Sequence, residues 1–448
     1  MEDAHSSAID RPGNCLESQH PGRRRQRIEL WDAHDLCPPS LGRVSRTFPS
    51  ALSGLDVENS MRVTFVLPHA GLSGGIRVLS IYAERLNRRG HEVTVLSQPR
   101  TKRSLLGKMK SLARGTGWPT EPGRESSFFD DCAVPHRVLE SARPVVDDDV
   151  PDADVVLATY WKTAPWVAAL SPRKGAKAIL LQGYETSPGH WERSIDAAWR
   201  LPLHKIAVSK WLVDLARDRF DDLNVHLIPN SVDTGQFHAS PRGKRDRPTV
   251  GMLYSTLHLR GVDVSLAALE KVKKQMGDLR VVAFGAEPVS ARLPLPAWAE
   301  FHYLPAQSEL RLLYGQCDVW LCGSRREGFH LPMLEAMACR CPVVSTRMGG
   351  APDIVEDGIN GFLAEVENPS ELSERLGEVL RLTEAKWRGM SDAALRTANR
   401  YTWDDATDLL EAAFFDMIGD TARPCETTGW RAGRWPSGRG RWKREHAI

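Results

Sequence analysis

The 448-residue chain has no apolar run approaching the roughly 18 residues of a membrane-spanning helix. No apolar core of signal-peptide type precedes the first ordered-looking segment. Charge is nearly balanced, with 59 Lys and Arg against 57 Asp and Glu and a net +2. The total therefore points to no partner class, and nucleic acid is not expected as one. The eight cysteines follow no regular spacing, which excludes a disulfide framework. Cys317, Cys322, Cys339 and Cys341 cluster in sequence, but three of them fall on expected core positions rather than on converging ligand positions. No metal and no resident cofactor are expected, and no internal repeat is visible. Together these absences predict a cytoplasmic protein, with peripheral membrane contact as the alternative. A hydrophobic content of 42% and a charged content of 26% suit two to three globular domains.

The information is concentrated between Gly323 and Gly361, GSRREGFHLPMLEAMACRCPVVSTRMGGAPDIVEDGING. Cys317 to Cys322 reads as a short buried strand. Pro332 suits the first turn of a helix, where its missing N–H costs nothing. Glu327 then falls on the strand-to-helix loop and Glu335 in the first turns of a helix that is apolar on nearly all sides (Leu331, Met333, Leu334, Ala336, Met337, Ala338). A carboxylate inside such a helix requires a partner. The plain alternative is a buried glutamate capping its own helix. A second strand follows from Pro342 to Ser345, then Gly349-Gly350 at another strand-to-helix turn. Strand, loop, helix, strand and glycine turn make half of a doubly wound α/β sheet. In such sheets ligands bind at the carboxyl ends of the strands, where helix N-termini offer free N–H groups to a diphosphate. Glu335 there would accept from a ribose diol, and Glu327 would hold a sugar hydroxyl.

The stretch resembles the retaining glycosyltransferases of the GT-B fold, family 4 (glycosyl transferases group 1). Their signature E-G-F-G-x-P-x-x-E-A-M-A-x-G-x-P-V-V is matched at Glu327-Gly328-Phe329, Glu335-Ala336-Met337-Ala338 and Pro342-Val343-Val344. The following G-G-x-P-E and D-G-x-N-G-F-L are matched by Gly349-Gly350-Ala351-Pro352 and by Asp357 to Leu363. His330 and Arg340 stand where glycine is usual, and Asp353 where glutamate is usual. The resemblance implies two Rossmann-like domains facing a cleft, and transfer of a sugar from a nucleotide-diphosphate donor to a hydroxyl acceptor with retention. Bacterial polysaccharide or glycolipid assembly is the expected setting, with a glycan or lipid-linked acceptor. It casts Glu327 and Arg260 as catalytic. Glu335, Gly328, Phe329, His330, Leu331, Gly251, Gly285, Gly349 and Gly350 would line the donor site. Gly74, Gly75, Gln182 and Glu185 would form the acceptor or cleft loops.

The rest of the chain is read in that frame. Residues 1–60 lack periodicity and carry Arg23-Arg24-Arg25-Gln26-Arg27; they read as a disordered extension, with translation from Met61 as one hypothesis. The first Rossmann-like domain is placed at 61–235. Arg62–Leu67 and Glu92–Ser97 are strands around the loop His69 to Gly75 and a helix. This loop lacks the spaced G-x-G-x-x-G of a dinucleotide site. Leu105, Leu106, Met109, Leu112 and Ala113 form an apolar helical stripe among Lys and Arg, suited either to an anionic membrane or to packing on its own domain. Asp147 to Asp149 reads as a turn before a strand. Trp161, Trp166, Tyr184 and Trp191 suit either sugar stacking or core packing. The wording around Trp161 and Gln182-Gly183-Tyr184-Glu185 is faintly similar to bacterial rhamnosyltransferases. His190 is the nearest histidine to the place where relatives hold one against the donor sugar.

Asn230-Ser231-Val232-Asp233 with Phe237 resembles the family's interdomain linker. The donor domain is placed at 236–400, a returning helix at 401–420 and a basic Trp-containing tail at 421–448. Where the family has G-R-L and then Lys-Gly, this chain has Gly251-Met252-Leu253 and Arg260-Gly261, so one of two diphosphate cations is replaced by methionine, with His258 as a candidate substitute. The rival readings are a GT-B epimerase or phosphorylase, a non-catalytic nucleotide-sugar-binding module, and a nucleotide-cofactor oxidoreductase.

Overall fold

The computed structural model describes residues 60–99, 126–184 and 191–421. The expectations for the N-terminal extension, the basic helix around residue 109, Glu185, His190 and the tail beyond 421 lie outside the described residues.

Two all-parallel sheets organise the chain. The first contains β1 (Arg62–Leu67), β2 (Glu92–Ser97), β3 (His136–Val138), β4 (Val155–Ala158), β5 (Ala176–Leu181), β6 (His204–Ala207) and β7 (Val225–Leu227), in the order β3-β2-β1-β4-β5-β6-β7. The second contains β8 (Thr249–Leu253), β9 (Arg280–Gly285), β10 (Ala299–Tyr303), β11 (Val319–Cys322), β12 (Val343–Thr346) and β13 (Gly361–Ala364), in the order β10-β9-β8-β11-β12-β13. Parallel strands covered by helices on both faces lose the polar–apolar alternation and read as apolar runs. Accordingly β4, β11 and β12 are buried along their whole length. Each sheet reverses its winding once, between β1 and β4 and between β8 and β11. At such a reversal the flanking helices run to opposite faces and leave a crevice at the carboxyl ends.

The helices are α1 (Gly74–Arg88), α2 (Ala164–Ala168), α3 (Glu192–Trp199), α4 (Lys210–Phe220), α5 (Val262–Met276), α6 (Gln307–Gly315), α7 (Leu331–Ala338), α8 (Ala351–Ile354), α9 (Pro369–Arg381), α10 (Glu384–Asn399) and α11 (Trp403–Thr421). Ser73 caps α1, its side chain accepting from the Ile76 N–H, which places the Gly74-Gly75 pair in the first turn. Helix α11 lies on α1: the Trp403 and Tyr82 rings meet edge to face at 5.5 Å, and Arg89 Nη1 reaches Glu411 Oε2 at 2.5 Å.

The Asp147–Asp149 run forms a single 3-10 turn, and Arg143 pairs with Asp149 at 2.5 Å. Among the described residues, no helix is long and apolar enough to cross a membrane. No group of three or more His, Cys, Asp or Glu side chains there is arranged to hold a metal ion.

Candidate active site

The site forms at the winding reversal of the second sheet, where the segments after β8 and β11 meet. His258–Arg260 makes one 3-10 turn and Gly261 follows in the left-handed region at φ 55°. A Cβ on Gly261 would lie 1.9 Å from the Gly323 carbonyl oxygen. Only glycine lets the two backbones approach this closely, and that approach carries Arg260 to the loop after β11. Arg260 Nη1 donates to Glu327 Oε1 at 2.7 Å, and Ser324 Oγ donates to the same oxygen at 3.0 Å. His330 Nδ1 is 3.3 Å from that oxygen and 3.2 Å from Arg260 Nη1.

Burial opposes the charge on Glu327, but Arg260 and His330 outweigh it and hold the carboxyl below its ordinary range. Burial likewise opposes a charged His330; the Cys322 sulfur and the Glu327 carboxylate prevail and push it up to about 10. The cluster is therefore a carboxylate between two cations.

His330 adopts φ 70° and Arg340 φ 62°. Both stand where the resembled signature has glycine, and the backbone shows why: each position is left-handed, which costs a β-carbon-bearing residue about 1 to 2 kcal/mol. Arg340 Nε donates to the Ala239 carbonyl at 3.1 Å, and its guanidinium pairs with Asp392.

Glu335, 6% exposed, has both oxygens occupied. Tyr314 OH donates to Oε2 at 2.7 Å, and Arg77 Nη1 donates to Oε1 at 2.6 Å. Burial and then the Glu335 charge raise Tyr314 well above its ordinary value, so it stays a neutral donor. Arg77 comes from α1 on the first sheet. Its Nη2 donates to Gln236 Oε1 at 2.8 Å and its guanidinium lies 5.1 Å from the Phe237 ring centroid. The sequence reading missed Arg77; its one signal was a basic residue two positions after the Gly74-Gly75 pair.

The seam between the sheets runs through Gly328. Its carbonyl accepts from Ser209 Oγ and from Trp211 Nε1, both at 2.8 Å. A Cβ there would lie 1.7 Å from the Gln182 carbonyl oxygen. Gly350 lies behind it, its Cβ position 3.1 Å from the Gly328 carbonyl, and that of Gly349 is 2.0 Å from the Glu327 carbonyl. Asp353 Oδ2 accepts from the Lys210 N–H at the start of α4, at 2.8 Å. The Cβ position of Gly74 is 3.9 Å from Leu331, and that of Gly75 is 3.3 Å from the Gln182 side chain. Thus Glu327, Arg260, Gly328, Phe329, His330, Leu331, Glu335, Gly349, Gly350, Gly74, Gly75 and Gln182 converge.

One expectation does not hold in this arrangement, that for Gly251, while Met252 and Tyr184 are core residues. Gly251 lies inside β8, paired with Val282 and Trp320, with the Trp320 ring and Cys317 Sγ 2.6 and 2.7 Å from its Cβ position; it belongs to the core. Met252 is 1% exposed and packed in the core of the second sheet. Tyr184 is buried, its hydroxyl donating to Asp196 at 2.6 Å and its ring against Trp199. By contrast, Trp161 and Trp191 pair at 5.5 Å, and Trp191 is 48% exposed. Gly285 ends β9 against the Tyr254 carbonyl, 2.5 Å from its Cβ position. Next to it Glu287 accepts from the Thr256 N–H at 2.6 Å and fixes the loop after β8. His258 is exposed, and its carbonyl accepts from Arg325 Nη1 at 2.9 Å.

Two doubly wound sheets joined at their carboxyl edges, with a buried carboxylate pair at the seam, define a GT-B protein. Solved structures agree on the fold. HepE of Anabaena, crystallised with UDP, superimposes with a TM-score of 0.61 at 18% identity, over 80% of this chain and 100% of that one. A glycosyltransferase of Rickettsia africae gives 0.58 at 17% identity, over 81% of this chain and 99% of that one. Residues 247–381 match glycosyl transferases group 1. A D-inositol 3-phosphate glycosyltransferase of Mycobacterium leprae is 35% identical over 251 residues, 51% of this chain and 57% of that protein. The chain spans about half the length of the curated relatives it matches.

Proposed function

We propose that this chain is a glycosyltransferase that moves a sugar from a nucleoside-diphosphate donor to a hydroxyl acceptor with retention at the anomeric carbon. One observation carries the reading: all three polar contacts of Glu327 go to Oε1, so the ionised carboxylate keeps Oε2 for a sugar hydroxyl beside a cation. Arg260 stabilises the leaving diphosphate, together with the backbone N–H groups at the start of α7 and α8. Such donors act most strongly where charge develops in a site sheltered from water. The bond from the anomeric carbon to the phosphate oxygen breaks, and the bond to the acceptor oxygen forms on the same face. The acceptor proton passes to the leaving phosphate oxygen. Glu335 holds the donor ribose. On the acceptor side, the exposed Trp191 with Trp161 supports a glycan or a lipid-linked sugar, because flat aromatic faces suit sugar rings.

The test is a thermal-shift panel of UDP-, GDP-, ADP- and dTDP-sugars on the wild type and Glu335→Gln. One donor should stabilise the wild type and fail on the variant, and acceptor-dependent release of that nucleoside diphosphate should follow. Absence of stabilisation by any donor would overturn the proposal.

A further inference from the structure

Each Glu335 oxygen already accepts one hydrogen bond, Oε2 from Tyr314 and Oε1 from Arg77, and the side chain is only 8% exposed. A ribose diol that takes its place on this buried carboxylate competes with these two groups for its oxygens. Tyr314 lies on α6, belongs to the same sheet as Glu335 and is fully buried. Arg77 comes from the other sheet on a long flexible side chain, so it is the partner that yields.

Displacement leaves a guanidinium whose side chain is only 14% exposed. Its remaining contacts are the neutral Gln236 amide oxygen and the face of Phe237. A cation confined in this way without a counter-ion is costly. The anion that arrives with the ribose is the diphosphate attached to it. Arg77 sits in the first turn of α1, two positions after the Gly74-Gly75 pair, and Gly74 faces Leu331 of α7. The first sheet therefore delivers its own cation to the edge of the donor site, whereas Met252 in the second sheet is turned into the core.

From this geometry we infer that Arg77 is a donor-positioning residue: it neutralises Glu335 in the free protein and transfers its charge to the donor diphosphate when the ribose takes Glu335. The inference rests on the glycosyltransferase reading above. It makes the two sheets meet through the substrate, because one supplies the carboxylate for the ribose and the other the fork for the phosphates. An arginine fork suits phosphate in a way that lysine, a point charge, does not.

The test uses the full chain and compares each nucleoside diphosphate (UDP, GDP, ADP, dTDP) with its phosphate-free nucleoside by calorimetry. Arg77→Gln should weaken the diphosphate about tenfold or more, the scale of one charge-assisted contact. It should leave the nucleoside unchanged or bind it more tightly, since Glu335 is no longer contested. Arg77→Lys should fall between. Equal loss of nucleoside and diphosphate affinity would show a merely structural brace, and tighter binding of both would show a simple competitor; either overturns the inference. Wild-type protein that binds no nucleoside diphosphate overturns the glycosyltransferase reading itself. Wild-type binding with an unaltered Arg77→Gln overturns only the role of Arg77. Unfolding temperatures of the variants without ligand show whether a loss comes from the fold.

Discussion

The two glutamates lie eight residues apart and are neutralised in opposite ways. Glu327 is surrounded by groups of its own lobe: Arg260, Ser324 and His330. Glu335 depends on Arg77 from the other lobe for its positive partner. Loop packing alone builds the first site, with Gly261 seated against Gly323. The second exists only when the two sheets meet across Gly328. A site of the first kind is preorganised before any ligand arrives. On the inference above, a site of the second kind responds to occupancy, because the donor ribose competes for a contact that holds the lobes together.

The comparison breaks most visibly at Glu327. Glu327→Ala should lower turnover by about a hundredfold or more, on the scale of losing one preorganised electrostatic group, and lower the unfolding temperature by only a few degrees. Unchanged turnover would remove Glu327 from the site. Double-mutant cycles sharpen the contrast. The Arg77–Glu335 and Arg260–Glu327 pairs should each couple by about 1 to 3 kcal/mol in free protein. With saturating donor, the first coupling should collapse and the second persist. Equal behaviour of the two couplings would erase the distinction.

A smaller effect concerns pH. His330 is raised from its ordinary 6.5 to about 10, so the folded state binds the extra proton between those values. Its stabilisation is complete below pH 6.5 and is lost as pH rises towards 10. Asparagine tolerates the left-handed backbone, so His330→Asn should show a flatter profile across this window; identical profiles would mean that His330 is neutral in the fold. The smallest change is expected for Arg340→Gly, remote from either carboxylate. Relief of about 1 kcal/mol of left-handed strain should roughly offset the lost contacts to Ala239 and Asp392. A fall of about 3 kcal/mol or more in urea unfolding would show that Arg340 braces α10 rather than decorating it.

Much of the fold was readable along the chain. The apolar runs Arg62–Leu67 and Glu92–Ser97 appear as strands with those bounds, because strands buried on both faces leave a continuous signal. Strand β3 was not readable: it has three residues at a sheet edge, two of them exposed, and so no apolar run. Helix α3 was missed as well; it begins at Trp191 in the left-handed region without a capping side chain. Within the site, the loop and helix bearing Glu327 and Glu335 were legible because their spacing is local and dense.

The resemblance misled at Gly251, since a tripeptide match says nothing about which face of a strand a residue occupies. In β8 the alternation turns Met252 into the core and presses Gly251 against Trp320. The local order of strands, glycine turns and carboxylates follows from residue types and spacing, because hydrogen bonding and burial along one element are short-range. The partner of Glu335 lies 258 positions away, and no spacing rule reaches that far. That contact was decided when the two sheets closed on Gly328 and left one buried carboxylate facing one half-buried guanidinium.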